Sequence, residues 1–593
     1  MAVELFNAIT FTRKMDTLAY DDTSCFVDNL LLHERKGRLG GCRYLAAKTA
    51  TELSLRTLLI DWLIHENAKR TRINPLIFAI SVIDAFLDRD RLERSFNELK
   101  AIAVATLSLA IKFDDMDPSW YLSQRYSITI EALIFKTLGC NISLPKDTVY
   151  LRTALPEFYL DTTTKKSVDK TSRCLLLIIV SLGSDFLPSV IASAICKILS
   201  REYGYLYTSS LKVLDGVVDA CVGEIIITLK VVMQSNLVMY KMIPNSVRET
   251  FARICTGTSS LSDSVDVTSY LKSSYFRQNL SITLLDTALD QEVVHINRGG
   301  YGDIYRATVL ETVYARKTYI ASKMCGDTIN FATIREISIM LSLDHDNIAK
   351  IRHVSEDLQS IYLDLAPCDL RQWYTEGTDC NLTTQVPLAA QLLSAVVYMH
   401  DMGCLHRDIK SHNILVYPEA GTVRFVLADF GSARGGQIVS TDGYYTTCIC
   451  TVLYRAPEIL FGFNKYGEKL DVWSLLCTLY EFATKRILFY GLQFHSPEDT
   501  LEAYEEKCEA NQIKAVFSIL GGPTVETWPE VMLVPSFKNL SSDVTALVDI
   551  KDSFLQDFKL CPGYQKLLAV GLILNPANRP TAKALLTELQ TFT

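Results

Sequence analysis

The stretch "HRDIKSHNIL", residues 406–415, carries an aspartate, a lysine and an asparagine at spacings that fit one catalytic loop. Asp408 can accept a proton from a hydroxyl group, Lys410 can offset negative charge on a phosphoryl group in transfer, and Asn413 can bind a metal ion. Taken alone, the stretch is also typical of an ordinary polar loop. It predicts a phosphoryl-transfer centre only in the company of further motifs.

Three other stretches supply such motifs. "ADFGSAR", 428–434, follows the loop, and its Asp429 can hold Mg²⁺ that bridges phosphates. "INRGGYGDIY", 296–305, is a glycine-containing hairpin tip whose backbone amides can approach phosphate oxygens. Lys317, in "YARKTY", can hold two phosphates, but a desolvated lysine needs a counter-charge to stay in place.

The amphipathic helix "FATIREISIM", 331–340, offers that counter-charge in Glu336. The alternative is a solvated strand lysine and a solvated helix glutamate, whose pairing contributes little to stability. Arg335 stands next to Glu336, and consecutive helix residues point about 100° apart, so the two side chains serve different partners.

The order of these motifs, with "RAPEIL" (455–460) and "DVWSLLC" (471–477) after them, resembles the protein kinase family across about 300 residues. The HRD-x-K form, with Thr451 shortly before "YRAPE", is similar to serine/threonine kinases. The resemblance implies ATP and Mg²⁺ as cofactors. It implies a catalytic set of Asp408, Lys410, Lys317, Glu336 and Thr451. It also implies nucleotide contacts from Gly299, Gly302, Ile304, Ala315, Lys317, Leu365, Asn413 and Asp429, the last two of which bind the metal ion.

The sequence departs from the family pattern at three places. Asn297 stands where the first glycine of the phosphate-binding loop usually lies. Gly300 replaces the usual inhibitory threonine, so that Tyr301 alone keeps an inhibitory phosphosite position. The hinge after "IYLDLAPCDL" is shortened, which puts the choice of Leu365 as gatekeeper in doubt. Glu458 and Arg579 keep the pattern, since they resemble the family's buried structural ion pair.

"FATIREISIM" resembles the PSTAIRE helix of cyclin-dependent kinases, and "YYTTCICTVLYRAPEILFG" resembles their activation segment. In that family Glu336 would face Lys317, while Arg335 would face the activation segment. The resemblance implies a phosphate on Thr446, with Thr447 as the alternative position. Arginines around such a phosphate form forked, charge-assisted hydrogen bonds. The implied cluster comprises Arg335, Arg407 and Arg434.

Arg455, with Ile449 and Cys450 before it, resembles the family's platform for a proline after the phosphoacceptor. We therefore expect protein substrates with Ser/Thr-Pro sites.

The first half of the chain is helical in pattern, and "LRTLLIDWL", 55–63, resembles the opening of the cyclin box. Arg56 and Asp84 resemble the internal ion pair of that box. The resemblance implies a cyclin–kinase interface that contains Lys112, Glu131 and Ile334. Leu55, Leu58, Leu59 and Trp62 are candidates for a patch that docks short substrate motifs, with internal packing as the alternative. More generally, apolar helix stripes are commonly plain core, and charges at helix ends are commonly solvated.

The expected fold class is multidomain, with all-α cyclin folds followed by an α+β bilobal protein-kinase fold. We expect a cyclin box with an N-terminal extension, a second and more faintly cyclin-like bundle, a linker, and a kinase domain with a small and a large lobe. The expected boundaries are 1–144, 145–240, 241–289 and 290–593, with lobes 290–368 and 369–593. A flexible linker of about 45 residues spans roughly 35–40 Å and gives effective concentrations near millimolar. The cyclin half is thus expected to pair with and activate its own kinase.

Composition fits an ordinary globular protein, with 49% hydrophobic and 21% charged residues. The net charge of −8 disfavours a nucleic-acid-binding surface, and the 16 cysteines lack the CxxC pairs of a zinc site, which suits reduced thiols. The most apolar run, 174–199, is interrupted by Gly183, Asp185 and Pro188, so a membrane span is not expected. We expect an intracellular protein of the nucleus or cytoplasm.

Two other functions fit parts of the pattern. One is a cyclin-containing scaffold or pseudokinase that binds and regulates another kinase in trans, and the other is a fused cyclin that serves a different kinase. Whether the role belongs to the cell cycle or to transcription stays open. So do the organism, the physiological substrate, the origin of the phosphate on Thr446, and the binding of a separate cyclin or inhibitor.

Overall fold

The structure is a computed structural model. It describes residues 56, 59–64, 73–89, 96–113, 128–140, 162–182, 188–204, 215–234, 243–256, 283–287, 290–298, 302–309, 311–319, 331–376, 382–419, 422–434, 450–463, 466–491, 501–534, 537 and 560–591.

The first helical bundle contains a helical segment at 59–64 and the helices α1 (Ile73–Arg89), α2 (Phe96–Phe113) and α3 (Ile128–Thr137). Its core follows from the apolar spacing of α1, whose Ile80, Ile83 and Phe86 recur every three residues and are fully buried. Helix α2 packs against both α1 and α3.

The ion pair expected between Arg56 and Asp84 is confirmed. Both side chains are buried, and Arg56 Nε lies 2.6 Å from Asp84 Oδ1. Arg56 Nη2 also donates a hydrogen bond to the Val180 carbonyl oxygen, 3.1 Å away in the second bundle. The pair therefore ties the two bundles together as well as neutralising a buried charge.

The second bundle comprises α4 (Thr162–Leu182), α5 (Pro188–Tyr203), α6 (Asp215–Gln234) and α7 (Asn245–Thr256). Helix α7 lies within the range 241–289 that was expected to be linker. It packs against the other three helices through buried Val247, Phe251 and Ile254, which follow helical spacing. The bundle thus continues to Thr256, beyond its expected end at residue 240.

The small lobe of the second half contains a six-stranded sheet and helix α8 (Phe331–Ser342). Its strands are β1 (Thr283–Leu285), β2 (Gln291–Arg298), β3 (Gly302–Val309), β4 (Thr312–Tyr319), β5 (Ile351–Ser355) and β6 (Ser360–Asp364). Their order across the sheet is β1-β5-β6-β4-β3-β2. Gly302 is required where β3 crosses close to β4, because a Cβ there would lie 2.4 Å from the Thr318 carbonyl oxygen.

Strand β1 also falls within the expected linker. It pairs in parallel with β5, and Glu356 N donates to the Leu285 carbonyl oxygen at 2.9 Å. Asp290, immediately before β2, accepts hydrogen bonds from Arg316 and from the Tyr362 hydroxyl, the latter at 2.9 Å. The small lobe therefore begins before residue 290, and residues 257–282 remain between the described elements α7 and β1.

The large lobe is mainly helical. Its helices are α9 (Leu370–Thr375), α10 (Leu382–Asp401), α11 (Pro457–Leu460), α12 (Lys469–Thr484), α13 (Leu501–Leu520), α14 (Pro562–Gly571) and α15 (Ala582–Gln590). A three-stranded sheet of β7 (Cys368–Asp369), β8 (Ile414–Glu419) and β9 (Thr422–Leu427) lies beside them. Helix α12 is buried along its length and forms the centre of this lobe.

The expected ion pair between Glu458 and Arg579 is confirmed as a buried, forked contact. Arg579 Nη1 and Nη2 lie 2.9 and 3.0 Å from the two carboxylate oxygens of Glu458. Within the described part of the chain, no two cysteines are joined by a disulfide. No helix in that part combines the length and apolar character needed to cross a bilayer.

Candidate active site

Lys317 joins three parts of the small and large lobes. Its Nζ lies 2.7 and 2.9 Å from the carboxylate oxygens of Glu336 and 2.6 Å from Asp429 Oδ1. Burial opposes the charged form of Lys317, but the two carboxylates outweigh burial and raise its pKa. Strand β4, helix α8 and the loop after β9 therefore converge on one ammonium that stays charged.

The two carboxylates respond differently to this shared cation. Burial raises the pKa of Glu336, because Lys317 compensates only part of the desolvation and Asp429 adds negative charge. Burial also acts against the charged form of Asp429, but Lys317 overcomes it and lowers the pKa of Asp429. Asp429 has a left-handed backbone with φ of 61°, a strained conformation that is common at functional sites.

The catalytic-loop residues form one hydrogen-bonded group around Asp408. Lys410 Nζ donates to Asp408 Oδ2 at 2.7 Å and to Thr451 Oγ1 at 2.8 Å. Thr451 in turn donates to Asp408 Oδ1 through its hydroxyl at 2.9 Å and its backbone amide at 3.0 Å. These contacts fix the position of the Asp408 carboxylate.

Asp471 of α12 fixes the backbone of this loop through hydrogen bonds from two of its amides. This role was not predicted from the sequence. Its Oδ1 accepts from the Arg407 amide at 2.8 Å, and its Oδ2 accepts from the His406 amide at 2.9 Å. His400 Nε2 lies 3.0 Å from Oδ2. Arg407 has a left-handed backbone with φ of 66°, which is unfavourable for a residue with a side chain. The hydrogen bonds to Asp471 hold the backbone in this conformation.

The residues expected to hold Mg²⁺ present oxygen ligands. Asn413 Nδ2 donates to Asp408 O at 2.8 Å and to Asp408 Oδ2 at 3.2 Å, which leaves the Asn413 amide oxygen as its ligand atom. Asp429 binds Lys317 through Oδ1, so Oδ2 is its ligand atom. An amide oxygen and a carboxylate oxygen suit a hard divalent cation completed by phosphate and water oxygens.

Sheet register identifies the face that an adenine nucleotide would contact. Ile304 pairs with Lys317, and Ala315 pairs with Leu363, so these side chains share one face of the sheet. Leu365 lies after the end of β6, whereas Leu363 lies inside the strand opposite Ala315. The register thus favours Leu363 over Leu365 at the gatekeeper position. The short hinge leaves the alignment of β6 ambiguous in the sequence, so the gatekeeper position could not be predicted from residue type.

The phosphate-binding loop is described only at its edges. Gly302 is the first residue of β3, and Asn297 is the second-last residue of β2. The Asn297 Oδ1 accepts a hydrogen bond from the Arg298 amide at 2.8 Å. Gly299 and Tyr301 lie outside the described residues, as do Thr446 and its alternative Thr447.

The structure describes the three arginines of the expected cluster but not Thr446, the residue expected to carry the phosphate. Leu405 and Arg434 exchange backbone hydrogen bonds of 2.8 Å, which puts Arg434 beside the catalytic loop. Arg407 Nε donates to the Ser432 carbonyl at 2.8 Å, and Arg407 Nη1 lies 3.1 Å from the Tyr466 hydroxyl. Both arginine side chains are therefore buried next to the start of the activation segment.

Helix α8 connects this site to the N-terminal half. It packs directly against α2, and Arg335 Nη2 donates to the Lys112 carbonyl oxygen at 3.3 Å. The Lys112 ammonium instead pairs with Glu131, 2.6 Å away, and both groups are buried. Ile334 of α8 is fully buried. Arg335 thus reaches α2, a contact that the sequence analysis did not foresee for it.

The candidate docking patch is only partly at the surface. Leu59 is 1% exposed and belongs to the core, so at this position the structure shows internal packing, the alternative to a docking patch. Trp62 is partly buried, and the Lys100 ammonium lies 4.9 Å from its ring centroid. Leu55 and Leu58 lie outside the described residues.

Residues 450–455 form a loop that contacts Asp408 through Thr451. Cys450 has a left-handed backbone with φ of 62°, and its carbonyl oxygen accepts from Arg455 Nη2 at 2.9 Å. Arg455 Nη1 pairs with Glu509 of α13. The Cys450 carbonyl oxygen thus accepts a hydrogen bond from within the protein.

Comparison with known proteins agrees with both halves. Residues 291–589 match the protein kinase domain family, and residues 27–143 match the N-terminal domain of cyclins. The chain is 32% identical over 306 residues to the serine/threonine-protein kinase ppk23 of Schizosaccharomyces pombe, covering 50% of this chain and 70% of that protein.

Two other relatives are similar over the same share of the chain. Identity is 30% over 304 residues to the CTD kinase subunit alpha of Schizosaccharomyces pombe, covering 49% of this chain and 46% of that protein. It is 32% over 307 residues to cyclin-dependent kinase 12 of Drosophila melanogaster, covering 49% of this chain and 24% of that protein. The chain thus spans less than half the length of these two relatives.

Proposed function

Since the chain belongs to the protein kinase family, as a serine/threonine kinase of cyclin-dependent type with a cyclin domain in front, we propose that it transfers the ATP γ-phosphate to Ser/Thr-Pro sites under control of its own cyclin domain. In this proposal the cyclin domain acts in cis, and phosphorylation of the activation segment adds a second layer of control.

The observation that carries the proposal is the double contact of helix α8. Arg335 reaches the Lys112 carbonyl of α2, while the neighbouring Glu336 reaches Lys317. One helix therefore contacts the cyclin domain and holds the lysine needed for the phosphates. Outward displacement of α8 would break both contacts. The cyclin domain would therefore keep Glu336 on Lys317 by holding α8 in place.

The chemistry follows from the groups around Asp408. Asp408 would take the proton of the attacking hydroxyl, and Lys410 and Thr451 would hold that carboxylate in line. Bound Mg²⁺ would neutralise charge on the phosphates, with Asn413 and Asp429 as its ligands. Gly299, Gly302, Ile304, Ala315 and Leu365 stay proposed nucleotide contacts, and Leu363 is now the proposed gatekeeper.

Selection of proline is supported by the Cys450 carbonyl. Cys450 has a left-handed backbone and its carbonyl oxygen is directed toward Arg455 Nη2, so we infer that it would not face the N–H of an ordinary residue after the phosphoacceptor. Proline has no N–H to satisfy. The substrate class that fits is therefore a Ser/Thr-Pro peptide.

Regulation by phosphate is supported by charge. Arg407 and Arg434 are buried beside the start of the activation segment, where a phosphate on Thr446 would meet them, and Arg335 is the proposed third member. Tyr301 stays the proposed inhibitory phosphosite. Docking of substrate motifs at Trp62 and location in the nucleus or cytoplasm also stay predictions.

Phosphate transfer by the full chain tests the proposal. With γ-labelled ATP, Mg²⁺ and a Ser-Pro peptide, Asp408→Asn is expected to lower kcat by about 10²–10⁴-fold, since it removes the general base. Surface variant Glu588→Gln, on α15, is the matched control. A wild-type rate no higher than that of Asp408→Asn would instead support a cyclin-containing scaffold that acts on another kinase.

A further inference from the structure

Helix α13 contacts the loop 450–455 with two polar side chains from one face. Glu509 and Gln512 are three residues apart, which places them on the same side of the helix. Glu509 pairs with Arg455 Nη1, and the Arg455 side chain is 10% exposed. Gln512 Nε2 donates to the Leu453 carbonyl oxygen at 3.2 Å. The helix therefore holds the loop at two points.

Gln512 is itself held by hydrogen bonds to the backbone of residues 489–491. Its Nε2 also donates to the Phe489 carbonyl oxygen at 2.9 Å, and its Oε1 accepts from the Gly491 amide at 3.2 Å. A Cβ at Gly491 would lie 2.8 Å from the backbone of Asn511, so this segment and α13 are in close contact. The helix is thus anchored independently of the loop that it holds.

The loop needs such support because Cys450 is in a strained conformation. A left-handed φ is unfavourable for a residue with a side chain, and nearby contacts must hold it there. On one side Thr451 N is held by Asp408 Oδ1 at 3.0 Å. On the other side Arg455 Nη2 holds the Cys450 carbonyl oxygen. Arg455 is a long side chain that is itself oriented by Glu509.

We propose that Glu509 is a positioning residue for substrate selection: by fixing Arg455, it keeps the Cys450 carbonyl turned away from the residue after the phosphoacceptor and so makes the kinase select proline. This inference rests on the proposed Ser/Thr-Pro specificity. Without Glu509, Arg455 loses its anchor, Cys450 relaxes, and its carbonyl becomes able to accept an N–H from a non-proline substrate.

The test measures kcat/KM of the full chain for three peptides that differ only after the phosphoacceptor, where they carry proline, alanine or N-methylalanine. N-methylalanine lacks the N–H but also lacks the proline ring. Wild type is expected to prefer both proline and N-methylalanine over alanine by about 5- to 100-fold, the factor for one unsatisfied buried donor.

Glu509→Ala is expected to lower the proline-to-alanine ratio by about tenfold, since the Cys450 carbonyl again offers an acceptor. Glu509→Gln keeps an acceptor oxygen for Arg455 and is expected to retain part of the ratio. Glu588→Ala, which breaks the ion pair between Glu588 of α15 and Lys566, is the matched control and is expected to keep the whole ratio.

The outcomes separate this inference from the proposed function. If wild type shows no preference for proline, the Ser/Thr-Pro proposal is wrong and the role of Glu509 falls with it. If wild type prefers proline but Glu509→Ala keeps the same ratio, only the role of Glu509 is overturned. If Glu509→Ala lowers kcat/KM equally for all three peptides, the proline-to-alanine ratio is unchanged, and the role of Glu509 is overturned in that case too. Preference for proline over N-methylalanine would also overturn it, because the ring would then decide.

Discussion

Asp471 is a single carboxylate that fixes the geometry of the whole catalytic loop. Burial acts against its charged form, but hydrogen bonds from His400 and the loop amides outweigh burial and lower its pKa. Because the unfolded chain then binds more protons than the folded chain at acid pH, Asp471 stabilises the fold above its ordinary pKa and loses this contribution as pH falls below about 4. Buried His406 acts in the same direction, since burial lowers its pKa.

The substitution Asp471→Asn tests this role. An amide nitrogen would face two N–H donors where Oδ2 now accepts, so we expect a loss of about 1–3 kcal/mol in the free energy of unfolding at pH 7. The difference from wild type should be smaller at pH 3 than at pH 5, because wild type loses the contribution as pH falls below about 4. Chemical denaturation of the full chain measures this, with Glu588→Gln as control. An equal difference at both pH values would contradict it.

Arg335 and Glu336 are neighbours on helix α8 and contact different partners. The sequence predicts different partners for them, since consecutive positions on a helix face different directions. The structure gives Glu336 the expected Lys317, whereas Arg335 reaches the Lys112 carbonyl. A backbone acceptor leaves no mark in a sequence. That partner could therefore not be predicted from residue type.

At the scale of elements, helices with strong periodicity and motif-bearing strands are the predictable part. The all-α half followed by a bilobal kinase domain is confirmed. Helix α7 carried a usable signal in the spacing of Val247, Phe251 and Ile254, and was nonetheless assigned to the linker. Strand β1 carried none, because three residues are too short for a pattern and their partner β5 lies far along the chain.

Strand β1 allows a direct test of how the linker ends. Leu285 is 6% exposed and packs with Val309 and Tyr362. Leu285→Ala should destabilise the small lobe by about 2 kcal/mol and detach β1 from the sheet edge. The expected readout is faster hydrogen exchange of the Glu356 amide, which donates to the Leu285 carbonyl.

Thr283→Ala is the matched control for that experiment, because Thr283 lies in the same strand but its side chain is exposed. It should leave the exchange rate of Glu356 unchanged. If Leu285→Ala and Thr283→Ala give the same protection at Glu356, strand β1 does not depend on the buried cluster, and the small lobe begins later than residue 283.

At the scale of the molecule, the two halves meet through a contact between helices in the described part of the chain, and they are also joined covalently. The α2–α8 contact joins the cyclin domain to the kinase, and residues 257–282 connect α7 to β1. A tether converts pairing into an intramolecular event with an effective concentration of about a millimolar. A weak contact between the halves then suffices for full pairing, so specific activity of the intact chain should not depend on its concentration.

Cutting the connection separates the tether from the contact. A protease site inserted between Thr256 and Thr283 leaves every described contact intact, and the intact chain with this insertion should keep wild-type activity. After cleavage we expect specific activity to fall on dilution, as the halves part and α8 loses its contact with α2. A scrambled insertion treated with the same protease is the control, and gel filtration at the same concentrations reports separation. If the halves separate while activity persists, Glu336 stays on Lys317 without help from the cyclin domain, and activation in cis is wrong.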